Sequence, residues 1–449
     1  MENFKFKGSI IFLCLTVFVG LLVYIIYFGN RKVSIEVALG NHPWTKPIPY
    51  LPPLEGVGEV RAENCGKCHT EIYLEWRAST HANAFSDLQF QSELSKSSSP
   101  RWLCLNCHIP VSNQRETIVN FLSNGDYRRP IEEANPNFDA KMKLEGVTCA
   151  TCHVRLDDEG KSYILGATGG TKPPHPVRIE RDLLRNRCLD CHNVSYTLDD
   201  QLVCAFNTGN ESKYQGNSHG QKTCGSCHMP EIWRKFVNSN LGSPKRISHR
   251  HGFVGGGVPK RFEFYDSQVA NGYKSGLKFS PLKLRIHENK IETTLEFSNF
   301  MSSHYIPSGD PERFLKLIIS VKNNYGIEIE RKETKIGQEW KWYPKAMLIS
   351  DNRIRPGETR VWSETLRLEK EGILVLEIFH VRLKESNAEQ MRTAVDKTLK
   401  DYADKIRNIE EFYPFSSLVH KEEVDLATGM SRIFPTKELF KMSGRRKGE

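Results

Sequence analysis

The chain has 449 residues, among them 12 Cys and 15 His, and a formal net charge of +9. At that composition chance supplies about 0.01 copies of C-x-x-C-H, yet the sequence holds five. Ten of the twelve cysteines follow one spacing, which excludes a random scatter, and the charge alone is no warrant for a nucleic-acid partner.

In chain order, the first predicted element is a membrane span. Ile10–Phe28 is nineteen residues without a charge, enough to cross a bilayer as a helix. A cleaved signal peptide has a shorter apolar core and a small-residue cleavage site. Here the run passes straight into "GNRKVS", so residues 1–32 read as an uncleaved anchor. Cys14, behind Leu13, lacks a lipoprotein cleavage context and reads as a buried apolar residue. Lys5 and Lys7 before the span are matched by Arg31 and Lys32 after it, so charge leaves the orientation open. Residues 33–58, with Pro43, Pro47, Pro49, Pro52 and Pro53, read as a semi-extended linker holding the body off the membrane. Trp44 and Tyr50 within it suit either packing or a place near the headgroups.

From 59 to 265 come the five motifs: Cys65, Cys68 and His69; Cys104, Cys107 and His108; Cys149, Cys152 and His153; Cys188, Cys191 and His192; Cys224, Cys227 and His228. On a helical turn, positions i, i+3 and i+4 share one face. Two thiols and an imidazole on that face suit covalent haem c, each thiol joined to a vinyl group and the histidine ligating the iron. Zinc ribbons need no histidine after each second cysteine. A thioredoxin-like dithiol occurs once, near a βαβ pattern, and a disulfide framework leaves the histidines unexplained. The reading is therefore five haems. Because haem c is attached outside the cytoplasm, it sets the orientation: N-terminus in the cytoplasm, body in the bacterial periplasm. Two propionates per ferric haem remove about one charge each, leaving a mildly basic protein, and "GRRKG" around Arg445 reads as a solvated tail. The flanks of the five motifs are unalike, which excludes a solenoid of equal repeats. Short helices such as Glu71–Phe85 are expected to alternate with long loops, without strands, around porphyrins that supply much of the core.

Beyond 275 the texture changes. "KIETTLEFSNF", "FLKLIISVKNN", "GIEIERKE", "ETRVWSETLRL" and "ILVLEIFHVRL" alternate apolar and polar residues. They predict an antiparallel β-sandwich of about seven strands over 276–385. An amphipathic helix follows in 386–449, with Met391, Val395, Leu399, Tyr402, Ile406 and Ile409 on one stripe and Ser386 with Glu389 as a capping box. The fold class is thus multi-domain: anchor, helix-and-loop haem domain, β-sandwich and amphipathic helix.

Ten histidines remain as second axial ligands. Two imidazoles close an iron site for electron transfer, whereas an open position admits a substrate. His81 is the leading candidate, on the helix of the first motif but too far along it to serve its own haem. His175 in "KPPHPV", His219 in "GNSHGQ", one of His249 and His251, and His304 in "SSHYIPSGD" complete the set. His42, His287, His380 and His420 are not assigned to iron.

"CGKCH…W-x-x-S-x-H-A", "C-x-S-C-H-M-P" and "H-x-F-x-G-G" resemble the multihaem cytochromes c related to the tetrahaem cytochrome and hydroxylamine oxidoreductase of ammonia oxidisers. The resemblance covers 60–260 well and the β-region, through "SSHYIPSGDPERF" and "ISDNRIRPGETR", loosely. It implies stacked haem pairs and mostly bis-histidine ligation, and it transfers Cys65, Cys68, His69 and His81. No residue matches a cross-linked catalytic tyrosine, so hydroxylamine oxidation is not carried over. The expected function is electron transfer between a membrane donor, possible in a respiratory complex, and a redox partner protein, with no nucleic acid. Three other readings stay open: a reductase of nitrogen or sulfur compounds at one open haem, a quinol dehydrogenase or structural subunit, and a β-region that docks a partner complex.

Overall fold

The computed structural model describes residues 16–20 and 31–444, apart from 168, 170, 199–200, 214–222, 239–240, 242, 396–398 and 400. Of the expected span Ile10–Phe28, only residues 16–20 are described, and they are helical; the rest lies outside the described residues. Among the described residues no helix is long and apolar enough to cross a membrane.

The stretch expected as a spacer is folded onto the body instead. Lys32–Ser34 pairs antiparallel with Thr117–Ser123, Ser34 caps the helix Ile35–Leu39, and Ile35, Leu51 and Leu54 are buried. Prolines remove donors but keep carbonyls and apolar rings. The remaining donors find partners: Asn113 bonds both the Leu51 N–H and its carbonyl at 2.9 Å, and the Ile48 N–H reaches the Pro110 carbonyl.

The motif region carries five short helices that matter for the site: α1 (Thr70–Arg77), α2 (Leu88–Ser95), α3 (Arg101–His108), α4 (Cys149–His153) and α5 (Leu189–His192), with α6 (Cys224–His228) as a sixth. α1 ends well before the expected Phe85. Asn83 donates to the Arg77 and Ser79 carbonyls and Ser79 accepts from the Ala82 N–H, so side chains draw the backbone into a turn. His81 therefore sits in a turn and not on the first motif's helix. The region also holds strands where none was expected: Thr117–Ser123 with Pro130–Ala134, Val154–Leu156 with Ser162–Gly166 and Val177–Ile179, Val194–Leu198 with Gln201–Phe206, and Glu231–Lys235 with Lys245–His249. Asn124 and Gly125, both at positive φ, are the hairpin signal that pattern-reading passed over.

The C-terminal part is a sandwich as expected, with more strands than predicted. Its strands are β1 (Lys278–Phe279), β2 (Lys283–His287), β3 (Lys290–Ser298), β4 (Phe314–Lys322), β5 (Glu328–Lys341), β6 (Met347–Asp351), β7 (Thr359–Arg367), β8 (Ile373–Val381), β9 (Ser416–Asp425) and β10 (Ser431–Ile433). One sheet is β1-β3-β2 with β7 on the other side of β3; the second runs β6-β5-β4-β8-β9-β10. Alternation places Leu295 and Phe297 of β3 against Leu315, Leu317, Leu376 and Ile378 of the larger sheet. β9 and β10 lie outside the predicted 276–385. They escaped because β9 buries a charged residue: Glu422 is fully covered, accepting from the Leu282 N–H and the Ser431 hydroxyl.

The expected long helix is broken into α7 (Glu385–Thr393), Ala403–Arg407 and Ile409–Phe412. Lys384, not Ser386, is its N-cap, so the capping box does not form. The predicted stripe survives nonetheless: Met391, Leu399, Ile406 and Ile409 pack with Leu88 of α2, tying the C-terminal part to the motif region. A last helix, α8 (Thr436–Ser443), covers β9.

Candidate functional site

Each motif places its cysteines and histidine on a helical turn, and none of the ten motif cysteines is paired in a disulfide. Thiols of different motifs lie close enough to shift one another's pKa: Cys65 with Cys149, Cys107 with Cys191, and Cys188 with Cys224. The order in space is therefore first with third, second with fourth and fourth with fifth, an arrangement that spacing along the chain did not contain. Beside the Cys65–Cys149 contact, burial pushes the Glu145 carboxyl up to about 7 while it accepts from Thr148 and the Ala62 N–H.

Four motif imidazoles are oriented by one device. Nδ1 of His69, His108, His153 and His228 lies 2.7, 2.9, 3.1 and 2.6 Å from the carbonyls of Phe236, Ala84, Leu165 and Val254. A carbonyl can only accept, so Nδ1 carries the proton and Nε2 keeps its lone pair, the arrangement ligating histidines use.

Three of the motif histidines face a second imidazole. His192 faces His81 with ring centres 6.0 Å apart, His153 faces His251 at 6.2 Å, and His228 faces His304 at 6.2 Å. A metal–nitrogen bond is about 2 Å and a ring centre lies about 1 Å behind its nitrogen, so two imidazoles sharing one ion have centres roughly 6 Å apart. Burial, reinforced by the neighbouring imidazole, pushes His81 and His251 down to about 3 and His304 to about 4. All are neutral at pH 7, as ligation requires.

The supports of these second histidines come from scattered places. Gly146, at φ +62, brings its chain against the His81 carbonyl, where a Cβ would stand 2.5 Å away, and the Val147 N–H bonds that carbonyl. The Phe253 ring packs between His81 and His251 at 4.4 and 5.9 Å. Glu75 of α1 accepts from Arg234, Arg250 and the His251 N–H, holding the His251 segment in place. His304 lies in the loop from β3 to β4, so the sandwich itself supplies an imidazole to the fifth motif. Sequence reading found the histidines but missed Glu75 and Phe253, which carry no motif of their own.

The other candidates divide. His175 lies within electrostatic range of His69, and burial is the main cause of its lowered pKa. Its loop is seated where Pro174 would lie 2.2 Å from a Cβ on Gly56, itself at φ +73. His249 faces no motif imidazole and points Nδ1 at the Met229 carbonyl, so of the His249/His251 pair the structure brings His251 to the site. His219 lies outside the described residues. Among the described residues no second imidazole faces His108; the Phe90 ring lies flat on it, 3.5 Å between centres. His380 and His420, not assigned from sequence, are buried with Nε2 unpartnered.

Among the described residues no three His, Cys, Asp or Glu converge as a bare-ion site; the recurring unit is an imidazole pair beside a thiol pair. Buried donors without a partner, on Arg155, Arg246, Arg313 and Arg382, suit a group that carries carboxylates into the interior. Thiols, paired imidazoles and orphan guanidinium donors together fit haem c.

Comparison with known proteins agrees. Residues 64–129 match the family described as cytochrome c554 and c-prime. The fold is similar to the crystal structure of a penta-heme cytochrome c552 from Thermochromatium tepidum, with a TM-score of 0.55 and 19% identity over 82% of this chain and 98% of that one. A search by sequence finds no match among curated proteins. The first likeness covers the stretch of the first two motifs, and the second shows that the fold is shared.

Proposed function

We propose that the chain carries five covalent haems c and works as an electron-transfer protein, anchored by Ile10–Phe28 in a bacterial cytoplasmic membrane with its body in the periplasm. Haem c supplies a one-electron iron couple. The observation that carries the reading is the set of three imidazole pairs at 6.0–6.2 Å. Paired, and in His153, His228, His251 and His304 held through Nδ1, these side chains would keep one geometry in both oxidation states, which would keep reorganisation small and leave substrates no position to take. His175 with His69 is the fourth pair of the proposal. Electrons pass between a membrane donor and a redox partner protein.

The test is His304→Ala in the haem-loaded protein. Electron paramagnetic resonance of the oxidised protein is expected to show one haem turning high-spin with the other signals unchanged, and the visible spectrum after dithionite reduction is expected to show that haem taking up carbon monoxide. An unaltered spectrum would remove His304 from the ligand set, and His81→Ala tests the fourth motif's pair in the same way.

A second reading, a reductase of nitrogen or sulfur compounds, is favoured by one observation: His108 has no facing imidazole among the described residues. A parent protein with one high-spin signal and turnover of nitrite or hydroxylamine would establish it. An all low-spin parent would reject it.

A further inference from the structure

The hairpin of β5 and β6 overhangs its sheet. β5 pairs with β4 only over Glu328–Gly337; Gln338–Lys341 pairs with β6 instead. The resulting two-stranded arm, "QEWKWYPKAMLISD", stands at the sheet's edge. An isolated two-stranded ribbon is marginal in water, and this one exposes Tyr343 by 82%, Ile349 by 53%, Met347 by 50%, Leu348 by 43% and Trp342 by 39%. Trp340 stacks on Trp342 at 5.5 Å, which stiffens the arm without covering it.

What covers it follows from how the apolar groups are distributed. Successive paired residues of a strand point to opposite faces, so Leu348, opposite Trp340, is on one face and Met347, opposite Lys341, is on the other, while Ile349 falls at the register shift of the pair. A flat protein surface would bury one face and leave the other wet. A lipid interface surrounds both. The tip also has an interfacial composition, with Trp340, Trp342 and Tyr343 interleaved with Lys341 and Lys345: amphipathic rings sit at headgroup level and lysines reach anionic phosphates.

The arm's base leads toward the point where the chain enters the body. Glu312 lines the hollow behind Trp340 and Trp342 and lies within electrostatic range of Lys96, just past α2. α3 follows and packs Trp102 on Ile35 and Leu39. Because the body begins at Lys32, directly after the apolar run, a spanning run would leave no spacer between body and bilayer.

We propose that the β5–β6 arm is a membrane-interface hairpin that seats in anionic lipid and gives the anchored body a second foothold. The inference rests on the membrane placement proposed above, and the test separates the two. Full-length, haem-loaded protein is reconstituted in phosphatidylglycerol-containing nanodiscs doped with a photoactivatable acyl-chain lipid, and adducts are mapped by mass spectrometry. Adducts are expected in both 10–28 and 338–351. In the variant W342S/Y343S/L348S the second set should fall to background while the visible spectrum stays unchanged. Adducts confined to 10–28 would overturn the arm and keep the span, and adducts in neither would overturn both. Protein cross-links from Lys341 or Lys345 without lipid adducts would make the arm a protein-docking surface and overturn the proposal.

Discussion

The sandwich and the motif region bury apolar surface in different ways. Between the two sheets, Leu295, Leu317, Leu376 and Ile378 meet in one continuous core built from the chain's own side chains. Between residues 59 and 265 the buried apolar residues fall into small separate clusters, such as Phe85 with Phe90, Leu94 and Ile109, or Ala62 with Trp76 and Ala82. Imidazoles only partly covered by the chain, with His192 exposed, stand between these clusters. A stretch of the chain that leaves this many imidazoles half-covered among its apolar clusters needs partners for them, and the difference teaches where folding and function are separable. The sandwich closes itself; the motif region is completed by what its thiols and histidines hold.

The largest expected effect breaks that comparison outright if it fails. Intact mass should exceed the polypeptide by five haems, and replacing the ten motif cysteines by serine should abolish hydrogen-exchange protection across 59–265 while β4, β8 and β9 keep theirs. Four or fewer haems, or a motif region that stays protected without them, would mean that it closes its own core after all.

Next is the sandwich. Leu317→Ala empties a fully buried position and should cost about 2–5 kcal/mol in chemical denaturation. The haem spectra should not move, because Leu317 lies between the sheets.

A smaller effect sharpens the boundary between the regions. Glu211 accepts from Arg353 at 2.7 Å, both side chains largely buried. Glu211→Gln should cost about 1–3 kcal/mol and make the two parts unfold in separate steps. A single, unshifted transition would show that the contact does not couple them.

The sandwich also has its own acid sensitivity. Burial pushes His420 down to about 4, where it stacks on Phe279 with Glu422 nearby. Its unfolded pKa of about 6.5 is higher, so the unfolded chain binds the extra proton first. Stability is complete above pH 6.5 and falls as pH drops toward 4. In His420→Asn the slope over that window should shrink; an unchanged slope would place the titration elsewhere. The smallest effect is expected at His249: His249→Ala should leave every haem signal in place, whereas His251→Ala should change one.

Some of this was legible in the chain and some was not, for physical reasons. The five motifs, the alternation of β3, β4 and β8, and the apolar stripe at Met391 to Ile409 are local: each is set by the period of its own backbone. His81, His251 and His304 could be nominated, because they are histidines in a chain rich in C-x-x-C-H. Which motif each faces depends on contacts between distant segments. His81 meets His192, His304 crosses from the sandwich to His228, and Cys65 lies beside Cys149. β9 was hidden because its buried glutamate is satisfied by Leu282 and Ser431, which no pattern in its own ten residues reveals. Glu75 looked like an ordinary helix-surface carboxylate until Arg234, Arg250 and the His251 N–H closed around it. The sequence by itself determined the chemistry, since residue type and short spacing decide what a thiol or an imidazole can bind. Only the tertiary structure decided the pairing, since the hydrogen bonds and burial that select one distant partner over another exist only once the chain has closed on itself.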